Sequence, residues 1–267
     1  MNRQALLDKK RIVVKVGSSS LTHQETGHIS IAKLEKLIRQ LADLKNSGKD
    51  VVLVSSGAQA VGISALNLSE KPKEIEKKQA VASVGQASLM MIYQKLFREY
   101  SLVSSQVLIT KDIIDHPKRK SNATNTFEAL LAYGVIPIVN ENDTVATDEI
   151  EFGDNDTLSA IVAELVSADL LILLSDIDGL YDSDPTMSMD ARLITDIATI
   201  DDQVTEMASG SNSEVGTGGM ITKIEAARIA TEAGIDMVIA NSETPQVLSK
   251  IINGERIGTH FWGRKID

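Results

Sequence analysis

Lysine and small polar residues follow or interrupt several apolar runs in this chain, and these residue types bind phosphate. Lys15 lies inside the apolar run 11–16 and is followed by Gly17 and Ser18. A buried ammonium group is costly unless an anion pairs with it. The partner of Lys15 is therefore either a structural carboxylate or a phosphate, whose oxygens could also meet the backbone N–H groups of Gly17 and Ser18.

Residues 215–223, VGTGGMITK, combine three glycines with Lys223 and lead into a helical pattern. Their composition suits a phosphate cradle, yet they match neither common motif. A P-loop needs a second Gly directly before its Lys, whereas Lys223 follows Thr222. A dinucleotide-binding fingerprint needs Gly where Ile221 stands, and it should follow a strand. These motifs therefore do not decide which ligand the loop holds.

Three further polar groups come directly after apolar runs or begin a helix. Ser56 and Gly57 lie at a turn where a helix N-terminus offers free N–H groups, although most such turns only begin a helix. Residues 140–143, Asn-Glu-Asn-Asp, place four hydrogen-bonding side chains after one run, which is more than a turn requires. Residues 154–156, Asp-Asn-Asp, are either helix N-caps or, through Asp154 and Asp156, ligands of magnesium.

Ser175 and Asp176 end another apolar run and open the stretch SDIDGLYDSDP. This stretch has the early acidic residues of a calcium-binding loop, but the spacing to a terminal bidentate glutamate is wrong, which excludes that reading. We expect Asp176 to position lysines at the site. Tyr181 is a candidate for the wall of a pocket that binds a nucleotide base.

The elements that position these residues follow from the spacing of the apolar ones. Short β-branched runs predict buried strands, and apolar residues at helical spacing predict helices between them, for example from Ile31 to Leu44 and from Leu158 to Leu165. This alternation predicts an α/β fold with a mostly parallel sheet and helices on both faces. Ligands bind outside the carboxyl ends of such strands, where the polar residues lie. The predicted strands are 11–16, 51–56, 102–109, 135–140, 168–175 and 235–240.

Composition excludes several classes of function. The chain has 267 residues, no cysteine and four scattered histidines, so disulfides, thiolate catalysis and cysteine zinc sites are excluded, and any metal should be a hard cation. A net charge of −10 leaves no basic stripe for nucleic acid. No apolar run reaches the length of a membrane span, and the first ten residues lack a signal-peptide core, so we expect a cytoplasmic protein. A site with lysines but no histidine or serine triad suits phosphoryl transfer.

At these residues the chain resembles the amino acid kinase family over nearly its whole length. The motifs are VVKVGSS, SSGA, NENDTVAT, GDND, DGLYDSDP and GTGGMITK. Their combination in this order is far more specific than any one of them. The resemblance implies the three-layer fold of that family and one domain over residues 1–267, without the additional C-terminal domain of many bacterial relatives. It also implies ATP and Mg²⁺ as cofactors and transfer of phosphate to the γ-carboxylate of L-glutamate. The product would be L-glutamyl 5-phosphate, the first intermediate of proline biosynthesis.

The same resemblance implies roles for individual residues and for partners. L-Proline would act as feedback inhibitor, the protein would be a homo-oligomer (dimer or tetramer), and the product would be handed to glutamyl phosphate reductase. The catalytic residues would be Lys15, Lys223 and Asp176, and glutamate would be held by Ser56, Gly57, Asp143 and Asn155. ATP would be bound by Lys15, Gly17, Ser18, Ser175, Asp176, Thr217, Gly218, Gly219, Met220, Ile221, Thr222 and Lys223. The metal ligands are undecided, with Asp154 and Asp156 as candidates.

Two kinds of alternative stay open. Kinases of N-acetylglutamate, aspartate or uridylate would share the loops of the family, although the pair NENDTVAT and GDND argues against them. A non-catalytic protein that senses an amino acid together with a nucleotide belongs to a different class. The presence of both Lys15 and Lys223 disfavours the sensor, and ADP release on addition of glutamate would exclude it.

Overall fold

The computed structural model describes residues 2–146, 155–188, 190–209 and 219–264. Its centre is an eight-stranded sheet with the strand order β3-β4-β2-β1-β5-β7-β8-β6. The six strands from β3 to β7 in this order are parallel, and β8 runs antiparallel to β7. The strands are β1 Arg11–Val16, β2 Asp50–Ser55, β3 Ser104–Ile109, β4 Ile136–Glu141, β5 Leu170–Ser175, β6 Asp196–Ile197, β7 Asp236–Asn241 and β8 Thr259–Phe261.

Helices cover both faces of the sheet, so the predicted α/β sandwich of three layers is confirmed. One face carries α4 to α7 and the other carries α1 to α3 and α8, each face with its own apolar core. Short 3-10 helices span Arg3–Asp8 and Lys111–Asp115. The α-helices are α1 Ile31–Asn46, α2 Ala58–Ala65, α3 Ile75–Glu99, α4 Pro117–Ala132, α5 Asp156–Leu165, α6 Asp202–Ser209, α7 Met220–Glu232 and α8 Val247–Ile252.

The central strands are buried on both sides, which explains their continuous apolar sequences. In β1 the residues Ile12 and Val14 pack into the core under α1 to α3, whereas Val13 packs into the core under α4 to α7. Because successive side chains of a strand point to opposite faces, a strand between two helix layers needs apolar residues at every position. Lys15 is the exception in β1, since it is buried and charged.

The chain leaves neighbouring strands toward opposite faces at two places in the sheet. The connections after β1 and β2 lead to α1 and α2 on one face, whereas those after β4 and β5 lead to α5 and α6 on the other. Since β1 lies beside β5 and β2 beside β4, the carboxyl ends of the strands open into a crevice at each pair. We call this side of the sheet the carboxyl edge.

The far end of the sheet is fastened by the N-terminal 3-10 helix. Arg3 is buried, and its guanidinium donates hydrogen bonds to the carbonyls of Ile257 and Gly258 at 2.9 and 3.2 Å. It also pairs with the Asp196 carboxylate at 3.1 Å. These bonds tie the chain start to β6 and to the entrance of β8. Among the described residues, no helix is long and apolar enough to cross a membrane.

Candidate functional site

A buried carboxylate joins two lysines at the carboxyl edge. Asp156, the first residue of α5, accepts a hydrogen bond from Lys15 Nζ through Oδ1, and its Oδ2 lies 3.1 Å from Lys223 Nζ. Asp156 is fully buried, and the two lysines are 7% and 5% exposed. The sheet supplies Lys15 from the end of β1 and α7 supplies Lys223 from its first turn. Residues far apart in the sequence thus form one charged cluster.

The two lysines determine the ionisation of Asp156. Burial raises the pKa of Asp156, but the positive charges of Lys15 and Lys223 and their hydrogen bonds outweigh that effect and lower the pKa to about 2. The Asp156 carboxyl therefore stays ionised at neutral pH, next to both lysines. The two lysines of this cluster lie where β1 and β5 open into their crevice, and lysine side chains at such a position favour an anionic ligand.

The start of α7 adds donors beside the two lysines. Gly219 occupies the N-cap position and has no side chain that could cap the helix. The first N–H groups of a helix and its dipole favour an anionic ligand. Thr222 Oγ1 donates to the carbonyl of Gly219 at 2.8 Å and lies 3.1 Å from Asp156 Oδ2, so it connects this turn to the cluster. Met220 is buried and Ile221 is exposed.

Gly17 and Ser18, two of the predicted ATP-binding residues, follow Lys15 in the turn after β1. A Cβ built on Gly17 would stand 3.8 Å from Lys15 Nζ, so a larger side chain would begin to fill the space next to the ammonium. Ser18 is exposed, and its carbonyl accepts the N–H of Leu21 at 3.0 Å, which closes the turn after β1. Thr217 and Gly218 lie outside the described residues.

A chain of buried amides lies at the second crevice, between β2 and β4. Asn155 Nδ2 donates to Ser56 Oγ at 3.0 Å and to Asn140 Oδ1 at 2.8 Å, and Asn140 Nδ2 donates to Gln86 Oε1 at 3.0 Å. Asn155 holds the N-cap position of α5, but its side chain makes no capping hydrogen bond there. The capping interpretation is therefore wrong for Asn155, which joins β4 to the turn after β2.

Ser56 and Gly57 form the sharp turn from β2 into α2. Gly57 has a φ of 107°, in the left-handed region that an L side chain adopts only with strain. The N–H of Ser56 donates to the carbonyl of Val16 at 3.1 Å, which fastens this turn to the end of β1. The turn thus lies between the amide chain and the lysine cluster.

Asp143 borders the amide chain after β4. It is 7% exposed, and its carbonyl accepts a hydrogen bond from Gln79 Nε2 of α3 at 2.9 Å. Burial raises the pKa of the Asp143 carboxyl to about 6. No described side chain donates a hydrogen bond to its Oδ1. A buried carboxylate of this kind suits a cationic group such as the ammonium of an amino acid.

Asp176 is the residue that we expected to position the lysines. This residue is exposed at the end of β5, and its Oδ1 accepts a hydrogen bond from Ser175 Oγ at 3.0 Å. Among the described residues, Asp156 rather than Asp176 pairs with both lysines. The reason is geometric. Asp156, the first residue of α5, is fully buried next to the two ammonium groups, whereas Asp176 is exposed. Contact of Ser175 and Asp176 with a nucleotide stays a prediction.

The cluster around Asp156 argues against this residue as a metal ligand. Its two oxygens face two ammonium groups and a hydroxyl, and a cation would be repelled by both lysines. Within the described ranges, no group of three or more His, Cys, Asp and Glu side chains could hold a metal. Asp154, the other candidate, lies outside those ranges. Such a site fits Mg²⁺ only if most of its ligands come from ATP phosphates and water.

Sequence reasoning missed Gln86 and Gln79, which come from α3. The apolar side of this helix contains Ala82, Leu89 and Tyr93, and Gln86 occupies a place on the same side. A polar residue inside an apolar stripe could have signalled a buried hydrogen bond. Nothing in the sequence indicated that its partner would be Asn140.

Together these features define a class of protein, an α/β protein with a lysine–aspartate cluster and a chain of buried amides at adjacent crevices of one sheet. Residues 10–241 match the model of the amino acid kinase family, and the chain belongs to that family. The resemblance seen in the sequence is thereby confirmed. The UMP kinase of Ureaplasma parvum has a similar fold, with a TM-score of 0.65 at 16% identity over 95% of this chain and 99% of that one.

Close relatives are named for one activity. The chain is 54% identical to a glutamate 5-kinase of Clostridium perfringens, over 98% of this chain and 99% of the relative. It is 55% identical to a glutamate 5-kinase of Carboxydothermus hydrogenoformans, over 98% of this chain and 70% of that longer relative. A glutamate 5-kinase of Clostridium acetobutylicum is 54% identical, with 96% of each chain covered.

Proposed function

We propose that the protein transfers the γ-phosphoryl group of ATP to the γ-carboxylate of L-glutamate and so forms L-glutamyl 5-phosphate, the first step of proline biosynthesis. The observation that carries this proposal is the pairing of Lys15 and Lys223 with the single carboxylate of Asp156. The family of the chain and the names of its relatives support it.

The chemistry of the acceptor fits a site without a histidine. A side-chain carboxylate with a pKa of about 4.3 is ionised at neutral pH and needs no general base before it attacks phosphorus. The obstacle is repulsion, because one anion must approach another. Lys15 and Lys223 offset this repulsion, and Asp156 holds their ammonium groups together before the substrates arrive. An ammonium has three N–H donors and can contact Asp156 and a phosphate oxygen together.

The two crevices suggest how the substrates divide the site. ATP would enter the crevice between β1 and β5, with its phosphates at Lys15, Gly17, Lys223 and the N–H groups that begin α7. Mg²⁺, bound mainly by the ATP phosphates, would neutralise part of their charge. The proposed ATP contacts of Ser18, Ser175, Asp176, Thr217, Gly218, Gly219, Met220, Ile221 and Thr222 follow the resemblance to the family.

Glutamate would enter the crevice between β2 and β4. Asp143 would bind its α-ammonium, while Ser56, Gly57 and Asn155 would orient the rest of the molecule. The amide chain from Gln86 to Ser56 keeps Asn155 in place before glutamate binds. Preorganised hydrogen bonds of this kind lower the cost of orienting the acceptor carboxylate toward phosphorus.

A trapping experiment tests the reaction. The protein is incubated with ATP, Mg²⁺, L-glutamate and hydroxylamine, and γ-glutamyl hydroxamate is measured. An acyl phosphate reacts with hydroxylamine whereas a phosphate ester does not, so hydroxamate formed at the rate of ADP release is expected. ADP release without hydroxamate would contradict transfer to a carboxylate, and nucleotide binding with no ADP release would indicate a sensor.

The acceptor itself is tested with N-acetylglutamate and aspartate. Acetylation removes the ammonium that Asp143 would bind, and aspartate is shorter by one methylene. We expect turnover of glutamate only. Equal turnover of glutamate and N-acetylglutamate would contradict the role of Asp143 and would favour a different acceptor.

We also propose that L-proline inhibits the enzyme by competing with glutamate, since both carry the α-carboxylate and ammonium that the pocket would read. Inhibition should be strongest at subsaturating glutamate, and an unchanged rate at millimolar proline would contradict it.

Assembly into a homo-oligomer and hand-over of the labile product to glutamyl phosphate reductase complete the proposal. Light scattering, and coupled assays with the reductase, test these two points.

A further inference from the structure

A buried hydroxyl of β8 holds the segment that follows β5 to the sheet. This β5–β6 segment comprises residues 176–188 and 190–194 of the described chain. Its base closes where Leu180 and Ile194 meet, since the N–H of Ile194 donates to the carbonyl of Leu180 at 2.8 Å. An isolated antiparallel bridge between Tyr181 and Leu193 follows directly. The segment thus folds back on itself beside the crevice between β1 and β5.

Thr259, the first residue of β8, bonds to both sides of this base. Its Oγ1 accepts the N–H of Leu180 at 2.8 Å and donates to the carbonyl of Ile194 at 2.6 Å. Thr259 is fully buried, and its backbone lies opposite Ile239 of β7 in the sheet. One hydroxyl therefore satisfies a donor and an acceptor of the segment from a position that the sheet holds rigid.

The approach of Thr259 also explains Gly179. This glycine has a φ of 153°, and a Cβ built on it would clash with Oγ1 and would stand 2.9 Å from the backbone nitrogen of Thr259. Only glycine allows the segment to pass so close to β8. A second contact comes from Asn241 at the end of β7, whose Nδ2 donates to Asp178 Oδ1 at 2.9 Å.

We propose that Thr259 is a positioning residue for the nucleotide: by fixing the β5–β6 segment it places Asp176 and Tyr181 at the crevice between β1 and β5. This inference rests on the proposed binding of ATP in that crevice. Thr259 acts through the segment and does not contact the substrates, because it is buried in the sheet on the side of the segment remote from solvent. Its loss should weaken nucleotide binding and leave glutamate binding unchanged.

A matched pair of variants tests this role. Thr259→Val keeps the shape of the side chain and removes both hydrogen bonds, whereas Thr259→Ser keeps the hydroxyl. Binding of Mg²⁺–ADP is measured by calorimetry, which needs no turnover. We expect Thr259→Val to raise the ADP Kd about fivefold or more, and Thr259→Ser to stay within about twofold of the unmodified protein. The ATP KM should rise in parallel, with the glutamate KM unchanged.

Hydrogen exchange supplies a readout without any ligand. The amide of Leu180 should exchange faster in Thr259→Val than in Thr259→Ser, because its acceptor has been removed. A folded Thr259→Val protein with an unchanged ADP Kd would overturn the inference. Equal weakening of ADP and glutamate binding would also overturn it, because a general loss of structure would then be the cause.

The proposed function and this inference fail in different ways. If the unmodified protein does not bind ADP, the proposed function is wrong and the inference falls with it. If the unmodified protein binds ADP and Thr259→Val binds it equally well, only the inference is wrong. Should Thr259→Val not fold, Asn241→Asp decides, because it replaces the donor to Asp178 with a repelling carboxylate. A raised ADP Kd in that variant supports the inference, and an unchanged one overturns it.

Discussion

Asn155 and Asp156 are consecutive residues whose side chains serve opposite halves of the site. Asn155 Nδ2 lies 3.0 Å from Ser56 Oγ in the crevice between β2 and β4, while Asp156 accepts hydrogen bonds from Lys15 and from Lys223 in the lysine cluster. The first turn of α5 therefore fixes the distance between the proposed acceptor pocket and the proposed phosphate site. Each prediction below concerns one residue of this arrangement or of the elements that support it.

Lys223→Ala should lower kcat about 100-fold or more and change the glutamate KM little. The reason is that an ammonium beside the transferring phosphoryl group stabilises the transition state more than the bound substrate. Steady-state kinetics with each substrate varied measures both constants. Lys120→Ala is the control, since Lys120 forms a partly exposed ion pair with Glu164 at 2.7 Å, and its kcat should not change. A folded Lys223→Ala enzyme with full kcat would exclude this lysine from catalysis.

Asp143 should make glutamate binding depend on pH. Its pKa of about 6 means that the carboxyl becomes protonated as the pH falls below that value and then loses its attraction for an ammonium group. The kcat/KM for glutamate, which reports on groups of the free enzyme, should fall about tenfold per pH unit below pH 6. Asp143→Asn should have a low kcat/KM without this pH dependence, with an unchanged ATP KM. The same pH profile in both proteins would assign the titration to another group.

Asp156 should stabilise the fold at neutral pH and lose this effect in acid. Its pKa falls from an ordinary 3.8 to about 2 in the folded protein, so the ionised carboxylate favours folding. A depressed pKa adds stability above the unfolded value, which is lost as the pH falls from about 4 to about 2. The contribution amounts to roughly 2 kcal/mol. Urea unfolding across this pH range measures it.

Asp156→Asn provides the comparison for that measurement. The variant leaves two buried ammonium groups without a carboxylate between them, so it should be less stable by about 3 kcal/mol at neutral pH. Its stability should then vary less than that of the unmodified protein between about pH 4 and about pH 2. An identical loss of stability in both proteins over that range would show that other carboxylates cause it.

Arg3→Leu should destabilise the far end of the sheet by roughly 3 kcal/mol, because it removes the donor to the carbonyls of Ile257 and Gly258 and the ion pair with Asp196. Arg3→Lys should cost less, since it keeps the charge but not the fork of donors. Urea unfolding measures both. Arg264→Leu, which removes an exposed ion pair with Glu232, is the control and should change stability little. Equal effects of the changes at Arg3 and Arg264 would contradict the fastening role.

The sequence alone predicted six of the eight strands that the structure describes, without β6 and β8, and it singled out several polar residues of the carboxyl edge. The run 11–16 is β1 without any change, and the other five predicted strands differ from the observed ones by at most two residues at either end. Five of these six strands are recognisable because both of their faces are buried, which demands continuous apolar sequence, whereas β3 lies at the edge of the sheet and is only partly buried. Ser56 and Asp143 were recognisable as candidates because polar residues that follow such strands must lie at the carboxyl edge, and Lys15 because it is a charged residue inside an apolar strand.

Only the tertiary structure decided how these residues act together. Lys15 and Lys223 lie 141 and 67 positions from Asp156 in the chain, and no local pattern indicates that one carboxylate pairs with both. The sequence suggested instead that Asp176 positions the lysines, and it left Asp156 as either a helix N-cap or a candidate ligand of magnesium. Strand order and the entry point of α5 bring Asp156 between the two ammonium groups. The Coulomb attraction between buried charges depends on that distance in space, which the spacing along the chain does not determine.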